Sequence, residues 1–202
     1  HVAGTVGEYA SIVGGGDLAV QGYGIVVGLG SNGSSEVPPH LRKYFNEYLK
    51  KRRLGSERWS TGPLTPRRFL DDKGTAVVLL GGRIPAGAPR GTRFDVLVTA
   101  LPQTQTRSLE GGILMPVEMH LSVGGMALPG GPSKVLAEAQ GPIFVNPYVD
   151  ASTAEGLSKL RRGRIPGGGR VTWPQPIRVQ LHRPDYGLSK RIERQILSLI
   201  HI

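Results

Sequence analysis

The sequence predicts an α+β chain: a mixed, largely antiparallel sheet with one amphipathic helix packed on it, plus a C-terminal strand–helix unit beginning a further module. Three observations carry this. Short runs of β-branched and aliphatic residues recur between Gly and Pro, the pattern of buried strands. One stretch alone, 39–54, has apolar residues at helical spacing followed by a glycine. Gly 30 and Pro 16 approach a quarter of the 202 residues without a Gly-X-Y period, which means many turns and excludes collagen.

Taken in order, the chain opens with a polar start, then Ile12-Val13 and a Gly14-Gly15-Gly16 turn. Asp17–Leu29 reads as a strand or strand pair. Gly22 and Gly24 flank Tyr23, the mark of a bulge or a close backbone approach. Pro39 to Leu54 is the predicted helix, with proline in its first turn and Leu41, Phe45 and Leu49 as one apolar stripe. Burying those three contributes roughly 1.5–3 kcal/mol each before ordering costs. Gly55 is placed as its stop, and Glu57–Asp72 is a polar, proline-punctuated loop.

Lys73 to Met119 is the predicted centre of the sheet. Val77-Val78-Leu79-Leu80 is apolar throughout, as in a strand covered on both faces. After a turn around Pro85 and Pro89, the next run alternates: Phe94, Val96 and Val98 on one face, Arg93, Asp95 and Thr99 on the other. No helical pattern separates the two runs, so they are expected as antiparallel neighbours. Ser108-Leu109-Glu110-Gly111-Gly112 leads into Ile113–Val117.

Beyond it, His120–Pro132 is a glycine-rich connection, and Ser133–Val145 gives two short strands around Gly141-Pro142. Ala154–Lys159 is a helical turn, Leu160–Arg164 a basic run, and Gly167-Gly168-Gly169 a hinge or hairpin turn. In Val171–His182, Ile177, Val179 and Leu181 alternate with polar residues. Asp185 then caps a helix in which Leu188, Ile192 and Ile196 recur every four residues. The expected organisation is a β-rich core domain over 1–145, a Gly/basic linker over 146–170, and a truncated second module over 171–202.

There are no cysteines, so disulfides, thiolate metal sites and cysteine nucleophiles are excluded. No run of eighteen apolar residues exists, so no membrane-spanning helix is expected. The chain starts at His1, not Met, without the charged start and apolar centre of a signal peptide, and both ends are read as cut. The net charge of +10 suits nucleic acid, an anionic cell-wall polymer or an acidic protein surface. Nucleic acid is disfavoured, because the basic residues are not interleaved with stacking aromatics and no known reader motif occurs.

Catalytic constellations are equally absent. His1, His40, His120, His182 and His201 are scattered and form no ligand pair, so no metal is expected. Gly28-x-Gly30-x-x-Gly33 has dinucleotide-fingerprint spacing, but Ser34–Pro39 intervenes where a helix should open, so a loop and no cofactor is expected. Asp71-Asp72 reads as a solvated turn. Glu118 and Glu138 could lie near each other on the sheet as a glycosidase-like pair, with nothing to place them in a cleft. No enzyme is expected.

Three blocks carry a family resemblance. Gln21-Gly22-Tyr23-Gly24-Ile25-Val26-Val27-Gly28-Leu29 is similar to a "G-Y-G-L-V-V-G-L" start. Lys73–Met115, with Gly91, Asp95-Val96, Val98, Ser108-Leu109, Gly111-Gly112 and Leu114, resembles a central "G-x-x-x-D-V-x-V … S-L-x-G-G-x-L" block. Ala137-Glu138-Ala139-Gln140-Gly141 resembles "A-x-A-Q-G". In this order, over about residues 4–145, they resemble the bacterial flagellar P-ring protein family. Leu197–Ile202 finds no counterpart in those blocks, while Pro184-Asp185-Tyr186 loosely fits a strand–helix unit that begins a further module.

The resemblance implies a structural subunit that assembles with itself into a closed ring in the periplasm at the flagellar basal body. Its partners would be the rotating rod, the outer-membrane L ring and peptidoglycan, with no cofactor. It also implies an exported precursor, a further C-terminal region, and relatives that can carry a disulfide this chain lacks. Lys73 and Arg107 match positions where family members often carry basic residues. With Arg42, Lys43, Lys50 and Lys51 on the helix, they are the candidate rod- or wall-facing residues. The alternative is a non-flagellar cell-wall binding module of the same fold, and a wall-active hydrolase is a third class.

Overall fold

The computed structural model describes residues 5–51, 70–122 and 134–200, without the side chains of residues 51, 199 and 200. The expected helix stop at Gly55, most of the Glu57–Asp72 loop, the connection over 123–132 and the last two residues lie outside this description.

Alternation decides the architecture. In β4 (Arg93–Ala100), Phe94, Val96, Val98 and Ala100 are buried while Arg93 and Leu97 are exposed. The other long strands are β2 (Leu18–Val27), β3 (Ala76–Ile84), β5 (Ile113–Leu121), β6 (Val135–Pro142) and β7 (Arg162–Val171). The six strands close into a barrel in the order β2-β3-β4-β7-β6-β5. Every neighbouring pair is antiparallel. The expected antiparallel sheet is therefore present, and it is sharper than expected: closure leaves the barrel no free edge. Inside, Val20, Val26, Val78, Leu80, Val96, Val98, Leu114, Met119 and Ile165 are at most 2% exposed.

A six-stranded barrel is narrow, and glycine makes room in it. A Cβ on Gly82 would lie 2.5 Å from Phe94 Cε2, and one on Gly169 2.5 Å from Phe94 Cζ. The ring of Phe94 thus fills the space left by glycines on the two flanking strands. Gly22 shows the close approach read from its sequence: its Cβ would sit 2.7 Å from the Glu118 carbonyl oxygen. The β2–β5 register shifts between Gln21 and Val26, as a bulge requires.

The helix α2 (Pro39–Lys51) lies across the outside of this wall. Leu41, Phe45 and Leu49 are 0–1% exposed and form a second core with outward-facing Tyr23, Ile25 and Val77, plus Leu70 and Leu101. The Tyr48 hydroxyl donates to the Pro116 carbonyl on β5. This explains the continuous apolar run in β3: Val78 and Leu80 face the barrel interior, and Val77 faces the helix.

Residues 146–170, expected as a linker, supply α3 (Ala154–Leu160) and the barrel strand β7. Gly167–Gly169, expected as a hinge or turn, lie within β7 at a register shift against β4. Ser133–Val145 forms one strand, β6, and a single bridge at Phe144 rather than two strands. The terminal residues pair with each other: β1 (Ala10–Val13) runs antiparallel to β8 (Arg178–Leu181). Asp185 caps α4 (Tyr186–Ile200) as read from the sequence, its Oδ1 accepting from Leu188 N at 2.9 Å. A single turn, α1 (Val6–Tyr9), precedes β1.

Candidate functional surfaces

The barrel has two loop ends and an outer wall. At one end, the segment after β2 holds a 3-10 turn at Gly30–Asn32, where fingerprint-like spacing was read as a loop. It is clamped from both sides. Leu29 N donates to Gly74 O at 3.0 Å and Ser34 N to Thr75 O at 2.7 Å. Opposite, Arg107 N donates to Asn32 O at 2.8 Å. Lys73 and Arg107, 34 positions apart, therefore flank one segment, and both are exposed. Arg42, from α2, reaches the same end, with its Nη1 2.8 Å from Asp71 Oδ1.

The remaining candidates lie elsewhere. Lys43 and Lys50 are exposed along α2, with Glu47 between them. Lys51 closes that helix, and its side chain is outside the described residues. Arg42, Lys43 and Lys50 line one depression along α2. The Lys73 end also carries Glu36, Asp71, Asp72 and Glu110, and the Glu36 carboxylate accepts from Gln105 N at 3.0 Å.

Sequence reasoning missed a second cationic region at the opposite end. Arg93 on β4 stands directly across from Arg170 on β7. Both are exposed, as are Arg83 and Arg90 nearby. Like charges directly opposite on one face repel, and Glu138 on β6, across from Arg170 on its other side, offsets that repulsion. Arg93 faced outward in the alternation already read. Its partner went unseen because β7 reads as glycine and arginine rather than as a strand. Beside the pair, Asp95 Oδ1 accepts from Gly167 N at 2.6 Å, and its other oxygen pairs with Arg164. The backbone donor first, then the Arg164 guanidinium, holds the Asp95 carboxyl below the usual carboxylate range.

Other groups are placed as follows. Glu118 and Glu138 are direct cross-strand partners on the outer wall of β5 and β6, so the proximity read from the sequence is met on an open wall. Asp71 and Asp72 sit in the exposed turn before β3, where Asp72 Oδ1 accepts from Gly74 N. Burial pushes the Tyr23 hydroxyl pKa up. Among the described residues, no group of three or more His, Asp or Glu could hold a metal ion, and no helix is long and apolar enough to cross a membrane.

Comparison with known proteins gives this arrangement a family. The flagellar P-ring protein model matches residues 5–201. That range takes in Leu197–His201, which the sequence blocks had left without a counterpart. The flagellar P-ring protein of Anaeromyxobacter dehalogenans strain 2CP-C is 33% identical over 199 residues, covering 93% of this chain and 47% of that protein. Those of Geobacter sulfurreducens and Aquifex aeolicus are 28% and 29% identical, with 94% and 85% of this chain covered and 49% and 45% of theirs. The chain thus spans about half the length of the curated relatives it matches. The match across nearly every described element shows that this chain belongs to the flagellar P-ring protein family.

Proposed function

We propose that this chain is part of a structural subunit of the flagellar basal-body P ring, assembled with its own copies in the periplasm as a bushing around the rotating rod. The observation that carries the reading is the family match over residues 5–201. In this reading the rod, the L ring and peptidoglycan are its neighbours, and it turns over no substrate. A closed barrel under one packed helix suits such a part, since a bearing needs stiffness and complementary surfaces rather than a reactive group.

Lys73 and Arg107, on either side of the Leu29–Ser34 segment, are the proposed rod- or wall-facing cations, with Arg42, Lys43, Lys50 and Lys51 of α2 as a second set. Charge attracts at a distance without fixing geometry, which suits a rotating joint. The test is Lys73→Glu with Arg107→Glu in the whole protein, followed by ring assembly on isolated rods. The expected outcome is impaired assembly, most strongly at low salt. Assembly equal to wild type at every ionic strength would remove these two residues from the interface. The alternative, a cell-wall binding module of the same fold, has the cationic face of α2 in its favour. Co-sedimentation with purified peptidoglycan, undiminished by the absence of rod, would support it.

A further inference from the structure

The outer face of β2, β3 and β4 is treated differently along its length. α2 covers Tyr23, Ile25 and Val77, while the continuation of the same face is bare. There a groove of about 670 Å³ runs over Gly81, with Leu79, Leu97, Ala19 and Gln21 among its lining. Leu97 is 60% exposed, and nothing lies within 4 Å of where a Gly81 Cβ would stand. Leu79 also packs against the α2 core, so the groove continues that buried surface.

Cations edge this apolar floor. Arg83 lines it from β3, and Arg164 lines it already paired with Asp95. Further along β4, on the same face as Leu97, stands Arg93 opposite Arg170. Arg93 Nη1 donates to the Gly167 carbonyl at 3.2 Å. Arg170 lies over Gly91, whose Cβ would be 3.9 Å from its Nη2. Neither Arg83 nor Arg170 makes an ion pair among the described residues. Glu138 on β6 stands directly across from Arg170 on its other side.

We propose that this face docks an extended acidic segment of a partner protein, with an apolar side chain over Gly81 and Leu97 and a carboxylate between Arg93 and Arg170. Charge complementarity selects the partner: the Arg83 and Arg93 guanidinium forks, which make no ion pair among the described residues, match carboxylate geometry. The apolar floor selects a protein over a glycan, because no aromatic side chain lines the groove to stack on a sugar. Spacing sets the motif. Leu97 and Arg93 are four residues apart on one strand, roughly 13 Å, which is the distance between side chains i and i+4 of an extended peptide. The arginine pair lies at the opposite end of the barrel from Lys73 and Arg107, so its variants test residues separate from those two.

The experiment uses a fluorescent peptide with valine at i and glutamate at i+4 separated by threonines, so that both side chains share one face of an extended strand, and fluorescence anisotropy with the whole protein. The expected result is saturable binding that weakens with salt, and at least tenfold weaker binding by Arg93→Gln with Arg170→Gln. Gly81→Phe, which enters open space at a strand position, should fill the groove and weaken binding as much while leaving the circular dichroism spectrum unchanged. Equal affinity of wild type and both variants for the peptide would overturn the proposal. So would a glutamine-for-glutamate peptide binding as tightly, or anionic phospholipid vesicles or peptidoglycan fragments being bound more tightly than the peptide through the same arginines.

Discussion

The barrel and the terminal unit of β1, β8 and α4 are built from the same kinds of residues and end up in opposite conditions. Each barrel strand pairs on both sides, and the alternating apolar residues of β4 fall from exposure to 7% or less. β1 and β8 pair only with each other, over four residues. Their apolar residues stay in water: Ile12 is 70% exposed, Val13 45% and Val179, the cross-strand partner of Ile12, 42%. Apolar period specifies which face a strand would bury, but closure against other strands decides whether the face is buried. The terminal pair is therefore held mainly by its ladder, and the barrel by its interior.

Substitutions can break this contrast. The largest effect is expected beneath α2, where Phe45→Ala should cost about 3–5 kcal/mol, read by chemical denaturation, because it empties the centre of the second core. Gly169→Val comes next, at about 1–3 kcal/mol, since the new side chain meets the Phe94 ring inside a narrow barrel. Asp95→Asn should act through pH. The Asp95 carboxyl is held below its ordinary value when folded, so its contribution is present above the ordinary carboxylate range and lost as pH falls through the folded value. The variant should lose less stability than wild type between about pH 5 and pH 2 in a denaturation series. The smallest effect belongs to the terminal unit: Ile12→Ser should change stability by no more than about 0.5 kcal/mol. A loss at Ile12 as large as that at Phe45 would erase the distinction between the two regions.

Much of the fold was legible because its signals are local. Leu41, Phe45 and Leu49 announce α2 by spacing alone, Asp185 announces the start of α4, and Val77–Leu80 announces a strand covered on both sides. Closure was not legible, since it depends on pairings such as Arg93 with Arg170 that no local period encodes. β7 hid for a related reason. Gly169 is required by the Phe94 ring of a neighbouring strand and Gly163 by Ile143, and glycine in isolation reads as a turn. The candidate surface fared similarly. Lys73 and Arg107 were found one by one, their placement about a shared segment emerged from hydrogen bonds to Leu29–Ser34, and the arginine pair at the other end required the register of β4 with β7.

The account holds that this protein works by assembling into the P ring rather than by turning over a substrate. The direct measurement is electron microscopy of basal bodies purified from the wild-type host and from an otherwise identical strain lacking this gene, with swimming assayed in parallel. The account predicts basal bodies without the P ring and cells that do not swim, both restored by the wild-type gene. Complete rings and normal swimming in the deletion strain would contradict it.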